Sequence, residues 1–316
     1  MGKYLITGGA GFIGSHIAEQ LVKRQEFVRV LDNFCSGKEE NLEFAKGLGK
    51  DKFELIRGDI RDKDVCEKSS KGIDYVLHQA GLRSVPKSLD DPESYNDVNI
   101  KGTLFLLQAC SKEKVKRFVM ASSSSIYGDT DKFPQEENQL PLLISPYALS
   151  KLTNEYYCRI FSKFFNLETV CLRYFNVFGP KQALDDEYAV VIPKFINCIL
   201  HDEQPPIFGT GKQSRDFTFI DNVVSANLLS ATTRGLKHEI FNVANGQDNT
   251  VLEVVFLLNK IIGKNIQPKL LPPRAGDVFR TCADISKITQ KIGFKMLVNF
   301  EEGLRRTVEY FKKKWK

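Results

Sequence analysis

The chain of 316 residues is long enough for one large or two joined domains, and its 42% hydrophobic content is spread along the whole length. A formal charge of +6, from 45 Lys and Arg against 39 Asp and Glu, is modest and well mixed, which argues against a polyanion-binding protein. No apolar run approaches the ~18 residues of a membrane span, and "MGKYLITGG" lacks signal-peptide features, so a soluble cytoplasmic protein without membrane or nucleic-acid partners is expected.

The first strand pattern is "KYLIT", followed by the turn Gly8 to Gly14 and a helical pattern over Ser15 to Val22. Such a turn suits a dinucleotide pyrophosphate docked on the helix N-terminus. Gly8 permits the tight turn, Gly11 lets backbone N–H groups approach the phosphates, and Gly14 allows close helix-to-strand packing. Glycines alone are weak evidence, and an ordinary turn is the alternative. The second strand, "FVRVLD", ends in Asp32, where a carboxylate would accept hydrogen bonds from the adenosine ribose and repel a 2′-phosphate. Turn, strand and acid together point to NAD rather than NADP. Asp59 and Ile60 follow the third strand, "FELIRGD", and are placed to flank the adenine.

"IDYVLH", "KRFVMAS" and "ETVCLRYF" continue the alternation of strands with longer segments, which reads as a Rossmann-type, doubly wound parallel α/β sheet. Residues 91–114 and 145–165 are long enough for helices, and Ser145 before Pro146 resembles an N-cap with proline at the first helical position. In the second of these, Tyr147 and Lys151 stand four apart on one helix face. A tyrosine acting as a base at neutral pH needs a pKa well below ~10, and a nearby ammonium or a cationic nicotinamide stabilises the phenolate. A surface aromatic beside a solvated lysine is the alternative. The stretch "ASSSSIYG" brings several hydroxyls to the carboxyl edge of the sheet, where open α/β folds bind ligands.

Beyond residue 176 the pattern changes to shorter elements broken by "GPKQALDDEY", "DEQPPIFGTGKQ" and "QPKLLPPRAGD". Two domains are expected: residues 1–175, binding NAD and carrying the catalytic residues, and 176–316, a smaller substrate lobe with some segments returning to the first. Thr250 and Glu253 have capping-box spacing, and Leu304, Val308, Phe311 and Trp315 make one apolar helix face. The basic tail "FKKKWK" reads as a solvated helix end. Seven cysteines (Cys35, Cys66, Cys110, Cys158, Cys171, Cys198, Cys282) form no C-x-x-C pair, so reduced, mostly buried thiols and no metal site are expected.

In the order and approximate spacing of "TGGAGFIG", "LDNF", "GDIRD", "LHQAG", "SSSSIYGD", "SPYALSK", "LRYFNVFGP" and "RDFTFID", the chain resembles the extended short-chain dehydrogenases, specifically nucleotide-sugar 4-epimerases. The branch it resembles most is the UDP-N-acetylglucosamine 4-epimerases that supply sugars for surface polysaccharides. The resemblance implies a homodimer and an NAD site built by Gly8, Gly11, Phe12, Ile13, Gly14, Asp32, Asn33, Asp59, Ile60, Gln79, Ala80, Tyr147 and Lys151. It implies that Tyr147 takes the proton from the sugar 4-hydroxyl while hydride passes from C4 to NAD. The resulting 4-keto sugar swings about the pyrophosphate and regains the hydride on its opposite face. Ser123 would hydrogen-bond the C4 oxygen, Lys151 would hold the nicotinamide ribose, and Ser124 and Ser125 would assist.

For the UDP-sugar, the resemblance implies Arg215 on the diphosphate, Arg274 and Asp277 near phosphate and ribose, Phe208 beside uracil, and Asn176 on the substrate. Arg215 beside Asp216 could equally form a structural ion pair. A dehydratase of the family would carry Thr-Asp-Glu where Ser123, Ser124 and Ser125 stand, and a uronate decarboxylase an acid in the same stretch. UDP-glucuronate enzymes usually have threonine at the Asn176 position and arginine where Ala183 stands. Thr281 matches a gatekeeper that leaves room for an acetamido group, and Ser84 and Gln182 match acetamido-binding members. Arg83 and Val190 stand where close acetamido-preferring members have smaller residues. These matches favour UDP-GlcNAc/UDP-GalNAc, with UDP-Glc/UDP-Gal as a further pair; a UDP-glucose 4-epimerase without N-acetyl activity and a UDP-glucuronate 4-epimerase are the alternatives. A non-enzymatic NAD-binding regulator would typically lack the tyrosine and lysine retained here.

Overall fold

The structure, a computed structural model, describes residues 1–184, 191–273 and 278–315. Seven strands form the main sheet: β1 Lys3–Thr7, β2 Phe27–Asp32, β3 Phe53–Arg57, β4 Tyr75–His78, β5 Arg117–Ser123, β6 Glu168–Tyr174 and β7 His238–Val243. All pairings are parallel, in the order β7-β6-β5-β4-β1-β2-β3. Because β1 lies between β2 and β4, the winding reverses there, and a crevice opens beyond the carboxyl ends of these strands.

The central strands are apolar runs because both faces of the sheet are covered. Tyr4 and Ile6 of β1 enter one core layer and Leu5 the other. The first layer is built with α1 (Phe12–Lys23), and the second with α2 (Lys63–Ser70), α3 (Thr103–Lys112) and α4 (Pro146–Phe164). Helix α5 (Ile220–Thr232) packs against α1 and leads the chain to β7. The first layer continues without a break into the later helices Val191–Leu200, Val251–Ile262 and Phe300–Lys314. Phe217 and Phe300 stack there at 5.4 Å, with Phe178 edge-on to both.

The six anticipated strands are present, and β7 adds a seventh. Residues 91–114 do not form one α-helix: a π-helical turn, Asn96–Gly102, separates Pro92–Tyr95 from α3. Ser145 caps α4 by accepting the Ala148 N–H at 3.1 Å, and Pro146 occupies its first turn. The Thr250 and Glu253 capping box forms as expected. All seven cysteines are free thiols, six of them buried. Among the described residues, no helix is long and apolar enough to cross a membrane, and no cluster of His, Cys, Asp and Glu could hold a metal.

Candidate active site

A cleft of about 1080 Å³ lies along the carboxyl edge of the sheet and extends to the strands of the later residues. At one end, the glycine turn leaves β1 and enters α1, whose N-cap is Gly11. Gly8 has φ of +66°, in the region that glycine alone adopts without strain. A Cβ on Gly14 would stand 2.2 Å from the Gly8 carbonyl oxygen, so helix and turn are pressed together at a distance only glycine allows. The first N–H groups of a helix have no intrahelical acceptor and favour an anion, and Phe12 and Ile13, in that first turn, line the cleft.

Asp32 closes this end. Its carboxylate accepts the Ala10 and Phe34 N–H groups, each at 2.8 Å, which fixes its orientation while lone-pair sites remain for a ribose. Asn33 donates to Asp59 at 2.8 Å, and Arg61 bonds Asp59 through backbone and guanidinium. That arginine holds the Asp59 carboxyl down to about 2. Asp59 is thus a paired carboxylate, and buried Ile60 beside it offers an apolar surface to a base. Turn, acid and apolar shelf fit a dinucleotide on its adenosine side.

At the centre, β5 delivers Ser123 and α4 delivers Tyr147 and Lys151. Ser123 Oγ accepts from the backbone and hydroxyl of Ser125, at 3.1 and 2.9 Å, and stands close enough to the Tyr147 hydroxyl to favour its phenolate. Lys151 is 7% exposed and donates to the Ala121 carbonyl at 2.8 Å, and burial pushes its ammonium down to about 8. The sequence leads one to expect a tyrosine depressed by this lysine. Instead, burial raises the Tyr147 phenol above its ordinary value, opposed by the Ser123 hydrogen bond and the charge of Arg83. Lys151 Nζ lies 5.8 Å from the Tyr147 ring centroid with a proton engaged at Ala121, and burial is the largest influence on the phenol.

Toward the later residues, Asn176 Nδ2 donates to the Thr281 hydroxyl at 3.2 Å and to the Asp216 carbonyl at 3.1 Å. The Thr281 hydroxyl also accepts the Asp216 N–H at 3.3 Å. The Asp216 carboxylate turns inward to the N–H groups of Asn245, Gly246 and Ala283, at 2.7, 3.0 and 3.2 Å, so it is not the counter-ion of Arg215. Arg215 bonds the Ser214 and Phe279 carbonyls and lines the cleft with Phe208. Ser84 caps a short helix, accepting the Lys87 N–H at 3.3 Å. Gln182 is 4% exposed; its Nε2 donates to the Val177 carbonyl at 2.9 Å, and its buried Oε1 has no hydrogen-bond partner among the described residues.

Every described candidate site residue, from Gly8 through Gln79 and Ser124 to Thr281, lines this one cleft. Val190, Arg274 and Asp277 lie outside the described residues. Sequence reasoning missed Tyr95, whose hydroxyl accepts the Ser84 N–H at 2.9 Å and whose ring stands edge-on to Tyr147 at 6.2 Å. It also missed the relay in which Tyr174 donates to Gln79 at 3.0 Å while Gln79 and Tyr174 are both bonded by Asn227 and its amide. Neither has a local spacing signal, since the partners come from distant segments.

Residues 4–244 match the model of the NAD dependent epimerase/dehydratase family. Among solved structures, the chain is similar to the UDP-N-acetylglucosamine 4-epimerase of Methanobrevibacter ruminantium M1 in complex with UDP-N-acetylmuramic acid, with a TM-score of 0.94 and 40% identity over 99% of each chain. It is similar also to the UDP-glucose 4-epimerase of Thermotoga maritima with UDP-glucose, with a TM-score of 0.93 and 38% identity over 99% of this chain and 100% of that one. A third is the UDP-glucuronic acid 4-epimerase of Bacillus cereus in complex with UDP-glucuronic acid and NAD, with a TM-score of 0.91 and 33% identity over 98% of this chain and 99% of that one. Matched over most of its length in sequence and nearly all of it in structure, the chain belongs to the NAD dependent epimerase/dehydratase family, as an isomerase with NAD as its cofactor.

Proposed function

We propose that the protein interconverts C4 epimers of a UDP-hexose, with UDP-GlcNAc/UDP-GalNAc as the favoured pair and UDP-Glc/UDP-Gal as a second pair. The observation that carries this reading is the cluster of Ser123, Tyr147 and Lys151 in the cleft that also holds the glycine turn and Asp32. NAD, when bound, supplies a hydride acceptor and donor for C4. Tyr147 takes the C4 hydroxyl proton and later returns it, while Ser123 steadies the same oxygen. Lys151, buried and tied to Ala121, orients the ribose beside it and favours loss of the tyrosine proton. Positions 123–125 are three serines, so the acid needed for water elimination is missing there and the chemistry stops at inversion.

Substrate size is read from two positions. Thr281 is small and lies at the cleft wall, leaving volume that a bulkier side chain would fill. The unpartnered Gln182 Oε1 would accept an N–H such as that of an acetamido group, which a buried acceptor favours strongly. A UDP-glucuronate would find Ala183 where that class has its arginine. Arg215 and Phe208 serve the diphosphate and uracil; the phosphate and ribose roles that the resemblance implies for Arg274 and Asp277 fall on residues outside those described. In this reading residues 1–175 hold the cofactor and the acid–base group, and 176–316 hold most of the UDP-sugar. A cytoplasmic homodimer completes it, supported by the free thiols and by the exposed apolar stripe Leu149, Tyr156, Ile160 and Phe164 on α4.

The test is a panel of UDP-glucose, UDP-galactose and their N-acetyl forms against wild type and Thr281→Tyr. Turnover of the N-acetyl pair by wild type and its selective loss in the variant are expected, because the ring fills the acetamido volume. Equal loss of both pairs, or no N-acetyl activity in wild type, would defeat the size argument and leave the epimerase reading intact.

A further inference from the structure

Helix α4 grips the end of β5 at three successive residues. Lys151 holds the Ala121 carbonyl, the Tyr147 hydroxyl faces Ser123, and between these the Ser122 hydroxyl donates to Glu155 Oε1 at 2.6 Å. Tyr147, Lys151 and Glu155 follow at four-residue spacing on one helix face. The proposed mechanism uses the first two and leaves Glu155 without a task.

Glu155 is 3% exposed, and a carboxylate so deep in the protein requires a counter-charge. Arg173 of β6 supplies it: Nε donates to Oε1 at 2.9 Å and Nη2 to Oε2 at 2.8 Å, with the guanidinium 4.9 Å from the Tyr127 ring centroid. Arg173 Nη1 reaches the Glu137 carbonyl at 3.3 Å, and the Tyr127 hydroxyl donates to Asn242 of β7 at 2.6 Å. Buried pairs of this kind are weak contributors to stability, since well-packed apolar residues do as well; their bidentate geometry specifies one arrangement. Here that arrangement joins α4 to β5 and β6 immediately behind the catalytic serine.

We propose that Glu155 is a positioning residue: anchored on β6 through Arg173, it holds Ser122 and so fixes the placement of α4 on β5 that brings Tyr147 to Ser123. The proposal rests on the reading that Tyr147 and Ser123 act on the sugar C4 oxygen. Loss of the Ser122 bond lets the helix shift by a fraction of an ångström, enough to misalign the two hydroxyls and too little to disturb the distant uracil and diphosphate contacts.

Ser122→Ala removes one hydroxyl and leaves the Glu155–Arg173 pair intact, so it is the primary variant; Glu155→Gln, which weakens both bonds, is the second. The NAD-loaded enzyme is assayed with UDP-N-acetylglucosamine and UDP-glucose for kcat and KM, with NAD content and the thermal midpoint followed in parallel. Expected for Ser122→Ala are full NAD content, KM within about twofold of wild type, and kcat lower by on the order of 10-fold, since small misplacements in a reacting pair carry large rate penalties. Glu155→Gln should lose more, and Ser122→Thr, which keeps the hydroxyl, should recover most of the rate. Wild-type kcat in a folded Ser122→Ala or Glu155→Gln, or losses that only track thermal stability, overturns the proposal. Tyr147→Phe in the same assay separates the two levels: full turnover there overturns the reading of the site, and the positioning role with it.

Discussion

At Tyr147 two effects on a phenol oppose each other. Burial favours the protonated form, while the Ser123 hydrogen bond and the Arg83 charge favour the phenolate. Replacing Tyr147 by phenylalanine removes the proton acceptor and little packing. Turnover should fall by at least ~100-fold while NAD content stays at the wild-type level, measured by the absorbance released on denaturation. Near wild-type turnover would show that another group carries the proton. Tyr147 and Lys151 were legible because one helix turn presents them at fixed spacing, and the serine stretch because it ends a strand; the choice of Ser123 within it came from the family resemblance. The direction of the tyrosine's shift was not, since it depends on solvent exclusion by segments far away in the chain. Asp216 makes the same point: next to Arg215 it invites an ion pair, yet its acceptors are filled from residues 245, 246 and 283. Burial raises that carboxyl to about 7 even against three N–H donors.

At the scale of the element, the glycine turn is the most constrained unit of the cleft. A methyl group at Gly14 would meet backbone atoms of Gly8 at 2.2 and 2.8 Å, and backbone cannot swing aside as a side chain can. Gly14→Ala should therefore force α1 away from the turn, and the purified variant should contain little or no NAD and gain activity only with added cofactor. Stoichiometric NAD in that variant would show that the turn tolerates the separation. The turn was readable because it sits between an apolar run and a helical pattern. Strand β7 was not: "HEIFNV" falls in the stretch that reads as shorter, broken elements, and it becomes a sheet strand by pairing with β6, from which residues 175–237 separate it. The π-helical turn at Asn96–Gly102 also lacked a local signal. Asn154 Nδ2 of α4 donates to the Asn99 carbonyl at 2.8 Å, satisfying a group that the irregular turn leaves outside regular α-helical pairing.

Across the whole molecule, the sheet depends on buried polar groups in defined protonation states. His78 at the end of β4 bonds Thr7 of β1 at 2.6 Å and Thr103 of α3 at 2.9 Å. Burial, helped by the charge of Lys151, pushes it down from 6.5 to about 3. The unfolded chain then binds the proton more readily than the folded one. The stability contribution is complete above pH 6.5 and is lost as pH falls toward 3, at up to about 1.4 kcal/mol per pH unit. Urea midpoints of wild type should decline between pH 7 and 5, and His78→Gln should start lower and decline less. Equal slopes would mean that other groups dominate the acid limb.

The same sheet carries the cofactor turn and the candidate catalytic residues on one edge, and the later strands line the cleft opposite them; that arrangement suits the proposed reaction, in which hydride would leave a sugar carbon and return to it. The most direct test uses UDP-N-acetylglucosamine or UDP-glucose labelled with deuterium at C4, incubated in ordinary water with the purified protein and no added NAD. Inversion at C4 with the deuterium retained in the product at C4 is expected. Inversion with loss of the label to water, or an absolute need for a different carbon centre, would contradict it.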